Sequence, residues 1–311
     1  MPATRTALIA LSSNQYLQNA LPRFPASRRV ARRFVAGEGL EDAIVAVRAL
    51  NARGLCGSLD HLGENVTSEA EAAAARDEYL RALATIKAAA LDCHVSLKLT
   101  QMGLDLDEEL CYENMCRILH EAAELGNFVR IDMEGSAYVE RTIALYRRLC
   151  LAYQNVGIVI QAYLRRSQAD VDRLVADGVG RLRLCKGAYD EPPAIAYRAR
   201  ERVTRSLQEL ACTALAPGAR ERGAYPGIAS HDEAVINFVR AYAYQWGIPP
   251  SAYEFQMLYG IRRELQASLA RKGYKVRIYV PYGTHWYPYL MRRLAERPAN
   301  LAFFLRALFG D

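Results

Sequence analysis

The chain has 311 residues, of which 51% are hydrophobic and 24% are charged, and its formal net charge at pH 7 is +6. This composition is typical of a globular protein with an ample core, and the mild positive charge requires neither a nucleic acid nor a membrane surface as partner. The sequence contains no apolar run near the roughly 18 residues of a membrane-spanning helix and no secretory h-region, so we expect a cytoplasmic protein.

The seven cysteines, an odd number, form no CxxC pair. We therefore expect reduced thiols, in keeping with a reducing compartment, and no metal site.

Residues 1–50 precede the first predicted strand and have a helical pattern, with a break at Pro22 and Pro25 and a second helical stretch from Leu40 to Leu50. We expect a helical extension that packs on the domain formed by residues 51–311. Five arginines lie between Arg23 and Arg33. A solvated helix face is the preferred interpretation of this run, and a nucleic-acid or membrane patch is the alternative.

Eight strands rich in apolar residues alternate with helical segments after residue 50. The predicted strands are Gly54–Asp60, His94–Leu99, Phe128–Met133, Val156–Gln161, Gly180–Cys185, Tyr225–His231, Tyr253–Leu258 and Val276–Val280. The predicted helices are Ser68–Leu91, Asp107–Leu125, Tyr138–Ala152, Gln168–Ala176, Ala194–Leu215, Asp232–Trp246, Arg262–Arg271 and Pro288–Arg297. Such alternation predicts parallel strands, and eight units predict an α/β fold of the TIM-type (β/α)8 barrel class. An open doubly wound sheet is the alternative.

Alternation of side chains along each strand predicts which residues face the barrel interior. In Val95–Leu99 the apolar residues face the helices, so Ser96 and Lys98 point inward. The same test turns Val129, Ile131 and Met133 outward. Near its C-terminal end each strand then sends one polar residue inward: Asp60, Lys98, Asp132, Gln161, Arg183, His231, Gln256 and Tyr279, with Arg130 and Glu134 also inward.

Unpartnered polar groups would cost several kcal/mol each inside a barrel that is normally filled with Val, Ile and Leu. We therefore expect a ligand site at the C-terminal mouth. The alternative is an internal salt-bridge network, with Lys98 and Asp132 as a satisfied pair.

The eighth helix carries four residues at spacing i, i+3, i+4 and i+7, which places them on one face: Tyr289, Arg292, Arg293 and Glu296. Paired guanidinium groups match the geometry of a carboxylate. We expect Glu296 to hold the arginines when the site is empty, and Asp60 or Glu64 to pair with one of them and gate entry.

Taken together, these residues resemble the proline dehydrogenase family, specifically its short monofunctional bacterial members. The resemblance covers nearly the whole chain after residue 30 and lies in segments on consecutive strands: FVAGE (Phe34–Glu38), SLDHLGENV (Ser58–Val66), VSLKLTQMG (Val95–Gly103), IDMEGS (Ile131–Ser136), VIQAYLRRS (Val159–Ser167), RLRLCKGAY (Arg181–Tyr189), ASHDE (Ala229–Glu233), EFQMLYGIR (Glu254–Arg262) and IYVPYGTHWYPYLMRRLAE (Ile278–Glu296).

The resemblance implies a distorted barrel that binds FAD without a GxGxxG fingerprint, and the sequence contains no strand–GxGxxG–helix unit. The cofactor residues that it implies are Met133, Gln161, Arg183, Lys186, Gly187, Ala188, Tyr189, Ala229, Ser230, His231, Gln256 and Leu258. Among them, Arg183 would contact the flavin N5 region.

For the substrate, the resemblance implies that Arg292 and Arg293 bind the carboxylate of proline. Lys98 would lie on the same side, held by Asp132, while Tyr279 and Tyr289 pack on the pyrrolidine ring. The reaction implied is hydride transfer from C5 of proline to flavin N5, which gives Δ1-pyrroline-5-carboxylate. Asp132 is a candidate base for the amine, and a membrane quinone is the implied electron acceptor, reached through peripheral membrane contact.

Two other classes of function remain open from the residues alone. A lyase or aldolase barrel would use Lys98 or Lys186 as a Schiff-base amine. A nucleic-acid-binding protein would use the arginines of Arg23–Arg33, but it would leave the inward polar residues unexplained.

Overall fold

The computed structural model describes residues 31–296, and the fold within them is a closed barrel of eight parallel strands in sequential order. The strands are β1 (Cys56–His61), β2 (Cys93–Leu97), β3 (Val129–Ile131), β4 (Val156–Gln161), β5 (Leu182–Cys185), β6 (Gly227–Ala229), β7 (Glu254–Leu258) and β8 (Val276–Tyr282). The barrel closes where β1 pairs with β8, with Cys56 opposite Arg277 and His61 opposite Tyr282. The predicted (β/α)8 class is confirmed, and the open sheet is wrong.

Ten α-helices lie within the same range, besides short 3-10 turns at Ser136–Tyr138 and Pro250–Ala252. The α-helices are α1 (Leu40–Asn51), α2 (Glu69–Ala88), α3 (Glu108–Glu124), α4 (Val139–Cys150), α5 (Ser167–Ala176), α6 (Arg200–Leu215), α7 (Pro217–Glu221), α8 (Glu233–Gln245), α9 (Arg263–Arg271) and α10 (Trp286–Glu296). Several begin at a side-chain cap, as where Ser68 accepts from the backbone N–H of Glu71 and Asp107 accepts from that of Leu110. Such caps satisfy orphan N–H groups in the first turn of a helix.

The main core lies between the strands and the helices that surround them. Val95, Leu97, Val129 and Ile131 are fully buried on the outward faces of β2 and β3, as the alternation predicts. Because those faces are apolar, the polar residues of the strands are left to the interior of the barrel.

A second apolar cluster fixes α10. The side chains of Phe34, Val35 and Leu62 pack against Trp286 and Leu290, so the segment before α1 and the loop after β1 both support this helix. Backbone bonds reinforce the arrangement, since the Ala36 N–H donates to the carbonyl of Pro281 and the Gly283 N–H donates to that of Gly37. The helix is thereby held beside the mouth of the barrel.

Three strands end earlier than predicted. β2 ends at Leu97, β3 at Ile131 and β6 at Ala229, whereas the predicted ends were Leu99, Met133 and His231. Each strand stops at its last ladder partner, and the following residues turn over the mouth. The predicted helix Ala194–Leu215 begins at Arg200, because residues 192–196 form a turn that pairs with the loop after β4 through Leu164 and Ala196.

The extension is described from Ala31 onward. Helix α1 agrees with the predicted stretch from Leu40 to Leu50 and packs on β1 and β8. Residues 1–30, with most of the Arg23–Arg33 run, lie outside the described part, and the domain boundary at residue 50 stays a prediction. All seven cysteines are free thiols. Between residues 31 and 296, no helix is both long and apolar enough to cross a bilayer, and no group of His, Cys, Asp and Glu is arranged to hold a metal ion.

Candidate active site

A cavity of about 610 Å³ opens at the C-terminal ends of the strands, a size typical of small-molecule sites. We call it the mouth cavity. Its lining residues are Lys98, Asp132, Met133, Val159, Gln161, Arg183, Cys185, Lys186, Gly187, Ala188, Tyr189, Arg200, Ala229, Ser230, His231, Asp232, Gln256, Met257, Leu258, Tyr279, Tyr289, Arg292 and Arg293. One cavity therefore brings together nearly all of the predicted site residues.

Arg183 forms the centre of the cavity floor. Its Nη1 donates to Oδ1 of Asp132 at 2.7 Å, its Nε donates to the side-chain oxygen of Gln256, and its Nη2 donates to the hydroxyls of Ser58 and Ser96. Every nitrogen of this buried guanidinium thus has an acceptor. A planar cation held on all sides is pre-organised, so it keeps its position when a ligand arrives.

Asp132 and Tyr279 complete this floor. The hydroxyl of Tyr279 donates to Oδ2 of Asp132 at 2.7 Å, and the Arg183 guanidinium lies 5.2 Å from the ring centre of Tyr279. Burial, followed by the charge of Asp132, raises the pKa of Tyr279 well above its ordinary value, so this hydroxyl stays protonated. Both carboxylate oxygens of Asp132 therefore accept a hydrogen bond, one from Arg183 and one from Tyr279.

Lys98 pairs with Asp60, and the expectation that it pairs with Asp132 is wrong. Its Nζ lies 3.4 Å from Oδ1 of Asp60, whereas the oxygens of Asp132 are taken by Arg183 and Tyr279. Burial lowers the pKa of Lys98, but the carboxylates of Asp60, Asp132 and Glu64 outweigh that effect and the pKa is raised. Burial also raises the pKa of Asp60. We assign the pair as ionised, because neutral Asp60 would leave a buried ammonium without its nearest carboxylate.

Arg292 and Glu64 form an ion pair of 3.0 Å at the rim of the mouth cavity. Burial alone would lower the pKa of Arg292, but the neighbouring Glu64 and Tyr189 raise it above its usual range. Burial alone would raise the pKa of Glu64, but the positive charges of Arg292 and Lys98 outweigh burial and lower it. Of the two carboxylates predicted to pair with an arginine of α10, Glu64 does so and Asp60 does not.

The remaining predicted residues of α10 divide into two groups. Tyr289 and Arg293 line the mouth cavity, and the guanidinium of Arg293 lies 5.2 Å from the ring centre of Tyr289. The side chain of Glu296 lies outside the described residues, so its predicted contact with the arginines stays a prediction.

Gln161 and Met133 line the opposite side of the cavity. The amide nitrogen of Gln161 donates to the carbonyls of Met133 and Glu134, both at 3.2 Å. Its side-chain oxygen is buried and accepts no hydrogen bond from residues 31–296. Met133 was predicted to face the helices, which is wrong: β3 ends at Ile131, so strand alternation no longer fixes its direction.

The loops after β5 and β6 form the rest of the wall. Lys186 donates to Asp232 at 2.6 Å and to the hydroxyl of Thr204 at 2.8 Å, which joins the two loops. Gly187 has φ +107°, where a side chain is disfavoured, and a Cβ atom there would overlap the ring of Tyr163. His231 accepts from the backbone N–H of Leu258 at 3.1 Å.

Comparison with known proteins decides which family the site belongs to. The family model described as proline dehydrogenase matches residues 43–306, which is most of the chain. This chain is a member of the proline dehydrogenase family.

Similar proteins support this membership. "Proline dehydrogenase 1" of Bacillus subtilis strain 168 is 42% identical over 304 residues, which cover 98% of each chain. The "Proline dehydrogenase" of Deinococcus radiodurans is 40% identical over 90% of each chain. A crystal structure of proline utilization A from Bdellovibrio bacteriovorus, inactivated by N-propargylglycine, superposes with a TM-score of 0.82 at 26% identity. The match covers 92% of this chain and 34% of that one, so the present chain spans about a third of its length.

Membership of this family makes the protein an oxidoreductase.

The structure adds residues to the lining of the mouth cavity that were not predicted. They include Val159, Cys185, Arg200 and Met257. Arg200 lies in the first turn of α6 and reaches the cavity because the loop after β5 turns back over the mouth. The sequence offered no signal for that return path.

Glu134, which was predicted to point inward, is buried but does not line the mouth cavity. Its carboxyl accepts from the N–H and the hydroxyl of Thr100, at 3.2 and 2.7 Å. Burial raises its pKa from an ordinary value of 4.5 to about 7. The stability that Glu134 contributes is therefore fully present below pH 4.5 and is lost as the pH rises through about 7.

Replacing Glu134 by glutamine should remove this pH dependence. Between pH 5 and pH 8 the wild-type protein should lose about 2–3 kcal/mol more of unfolding free energy than Glu134→Gln. Urea unfolding at both pH values measures the difference. The exposed Glu124→Gln is the matched control and should follow the wild type; equal slopes in all three proteins would contradict the expectation.

Proposed function

We propose that the protein oxidises L-proline to Δ1-pyrroline-5-carboxylate with FAD as cofactor. One observation carries the proposal: the mouth cavity is lined both by Arg183, whose guanidinium nitrogens are all hydrogen-bonded, and by the arginines of α10. The floor offers a fixed positive charge, and the helix offers guanidinium groups suited to a carboxylate.

The residues of the mouth cavity fit a flavin. Gln161 presents a buried oxygen in need of a donor, which a ring N–H would satisfy. Met133, Met257 and Leu258 supply apolar surface for a flat ring system. At Gly187 the backbone occupies a position that no side chain would tolerate, which permits close approach of a ligand to the main chain.

In the proposed arrangement, Gln161, Arg183, Gln256 and Met133 surround the ring system, while residues 186–189, residues 229–231 and Leu258 hold the rest of the cofactor. Arg200, whose side chain is 78% exposed and 4.0 Å from Asp232, adds a cation for the phosphate groups. When bound, FAD supplies the acceptor for the hydride that leaves C5 of proline. Arg183 stabilises the negative charge that reduction adds.

For the substrate, we assign Arg292, Arg293 and Lys98 to the carboxylate of proline. All three line the mouth cavity, and the raised pKa values of Arg292 and Lys98 keep both groups charged. Tyr279, Tyr289 and Tyr189 enclose the same space with their rings and exclude water from the reacting centre.

Asp132 is assigned a positioning role, since both of its oxygens are occupied by Arg183 and Tyr279. It fixes the cation of the floor and the tyrosine that packs on the substrate. Glu64 is assigned as a gate: it holds Arg292 until a substrate carboxylate takes its place.

The proposal also includes a membrane quinone as electron acceptor, peripheral contact at the inner face of the membrane, and a cytoplasmic location. These elements rest on the family resemblance alone. To test these elements, proline-dependent reduction of quinone analogues with different tail lengths would be measured with and without vesicles.

The Schiff-base alternative is disfavoured by the state of its two lysines. A Schiff-base amine must be neutral to attack a carbonyl. Lys98 is paired with Asp60 and has a raised pKa, and Lys186 is paired with Asp232 and bonded to Thr204.

The direct test is to measure the visible absorption spectrum of the purified protein and its proline-dependent reduction of a dye. We expect a flavin spectrum, release of FAD on denaturation, and dye reduction that depends on proline. A colourless protein that proline does not activate after reconstitution with FAD would refute the proposal.

Replacing Gly187 by alanine should lower the FAD content and the activity, because the new Cβ meets the ring of Tyr163 and the backbone must move. The strain at positive φ is of order 1–3 kcal/mol. Gly223→Ala is the matched control, since Gly223 has φ +84° and no atom within 4 Å of the added Cβ. FAD released per protein measures the effect; equal retention in the two variants would contradict it.

A further inference from the structure

A second cavity, of about 710 Å³, lies at the opposite end of the barrel. We call it the lower cavity. The loops that precede β2, β3, β4 and β5 form it, together with the first residues of β2 and β8: Ile86, Lys87, Ala90, Leu91, Asp92, Cys93, His94, Leu125, Gly126, Asn127, Phe128, Gln154, Asn155, Arg181 and Arg277. It shares no lining residue with the mouth cavity, and the Arg183 layer lies between the two.

The lower half of the barrel holds an excess of positive charge. Arg183 is paired with Asp132 and Arg277 with Glu254, but buried Arg130 donates to the carbonyls of Ile158 and Arg181. Within residues 31–296 Arg130 has no carboxylate within ion-pair distance. Burial, with a contribution from Arg183, lowers the pKa of Arg130 to about 9. An uncompensated buried cation of this kind is costly, and a nearby anion would relieve the cost.

Arg181 extends this charge into the lower cavity. Its side chain is exposed, lines the cavity and has no carboxylate partner in the described part of the chain. The centre of the Phe128 ring, which lines the cavity, lies 4.9 Å from the guanidinium carbon of Arg130 and 6.0 Å from that of Arg181. Both cations therefore lie close to the same lining ring, although Arg130 itself does not line the cavity.

His94 supplies a buried polar group at the same place. It is 6% exposed, lines the lower cavity, and its ring lies 5.4 Å from that of Phe128. Its Nε2 is buried without a hydrogen-bond partner among residues 31–296. Burial and the cations Arg277 and Arg130 lower the pKa of His94, so the ring is neutral and can donate one N–H. A polar ligand in the cavity could satisfy this nitrogen once the ring turns toward it, because the Nε2 atom is itself inaccessible in this structure.

We propose that the lower cavity binds a small oxyanion of the phosphate class, held by Arg181 and by the Nε2–H of His94. Lys87 and Arg277 add positive charge to the lining, against a single carboxylate, that of Asp92. Arg277 lies 3.6 Å from this carboxylate, which is 61% exposed and thus well screened by solvent. Because Arg277 is already neutralised by buried Glu254, Lys87 and Arg181 exceed Asp92 by one positive charge, and this excess favours an anion.

Inorganic phosphate is the probe, and binding is measured by thermal unfolding and by titration calorimetry at constant ionic strength. A ligand that binds the folded state raises the unfolding temperature in a saturable way. We expect saturable stabilisation of the wild type and a dissociation constant weaker by about tenfold or more in Arg181→Gln, the usual effect of losing a charge-assisted contact. Because Arg181 is exposed, this variant should fold normally.

Two further variants distinguish the possible sites. Arg292→Met removes a cation of the mouth cavity and should retain phosphate binding, so this test is independent of the proposed function. Arg117→Gln removes an exposed arginine of α3 that lines neither cavity and should behave as wild type.

The proposal predicts in addition that phosphate shifts the His94 ring resonances, and that chloride at equal ionic strength does not. Phosphate binding that is lost in Arg292→Met but kept in Arg181→Gln would overturn it. So would stabilisation equal to that given by chloride, or equal weakening in Arg117→Gln and Arg181→Gln.

Discussion

Replacement of Arg292 by methionine is expected to raise the KM for proline by about 30-fold or more, with a smaller change in kcat. Truncating one member of a buried, hydrogen-bonded charge pair costs about 2–5 kcal/mol, and removing an interaction that stabilises the ground state and the transition state equally changes KM. Arg292 is largely buried at the rim of the mouth cavity, where it pairs with Glu64 in the absence of substrate. Steady-state kinetics with a dye acceptor measure the change.

The FAD content of Arg292→Met should equal that of the wild type, because the residues assigned to the cofactor lie on the strand ends and their loops. Arg271→Met, which removes an exposed arginine at the end of α9, is the control and should leave KM unchanged. Loss of flavin from Arg292→Met, or an unchanged KM, would show that α10 does not hold the substrate carboxylate.

Replacement of Asp60 by alanine is expected to lower the free energy of unfolding by about 3–5 kcal/mol, since it leaves the ammonium of Lys98 buried without its nearest carboxylate. Asp60 is fully buried and Lys98 is 7% exposed. Urea unfolding at neutral pH measures the loss. This would be the largest stability effect that we expect from a single substitution in the site.

The double variant Asp60→Asn with Lys98→Met tests the reason for that loss. Because it removes both charges, it should recover a large part of the stability lost in Asp60→Ala, and a double-mutant cycle over the two positions should give a favourable coupling energy. Asp105→Ala, at an exposed pair with Arg141, is the control and should cost under about 1 kcal/mol. Independent effects at positions 60 and 98 would mean that the two groups do not interact.

Periodicity in the sequence was sufficient to predict the barrel, its strand order and the inward polar residues of the strands, whereas the predicted lining residues in the loops came from the family resemblance. Eight apolar strands that alternate with helices allow few other folds, and a period of two along each strand separates core residues from interior ones. Arg183 and Gln161 could be placed inside the barrel on this ground because both lie within strands.

Tertiary structure decided which charges pair. Local patterns place Lys98, Asp60 and Asp132 in one region, but a carboxylate is satisfied by whichever donor reaches it across the barrel. Arg183 extends from β5 to Asp132, which leaves Lys98 to Asp60 on the neighbouring strand. The directions of the Met133 and Arg200 side chains were also decided by tertiary structure, because beyond the ends of strands the direction of a side chain depends on the path of the loop. Alternation along strands is a local property, whereas ion pairing and loop paths depend on residues distant in sequence.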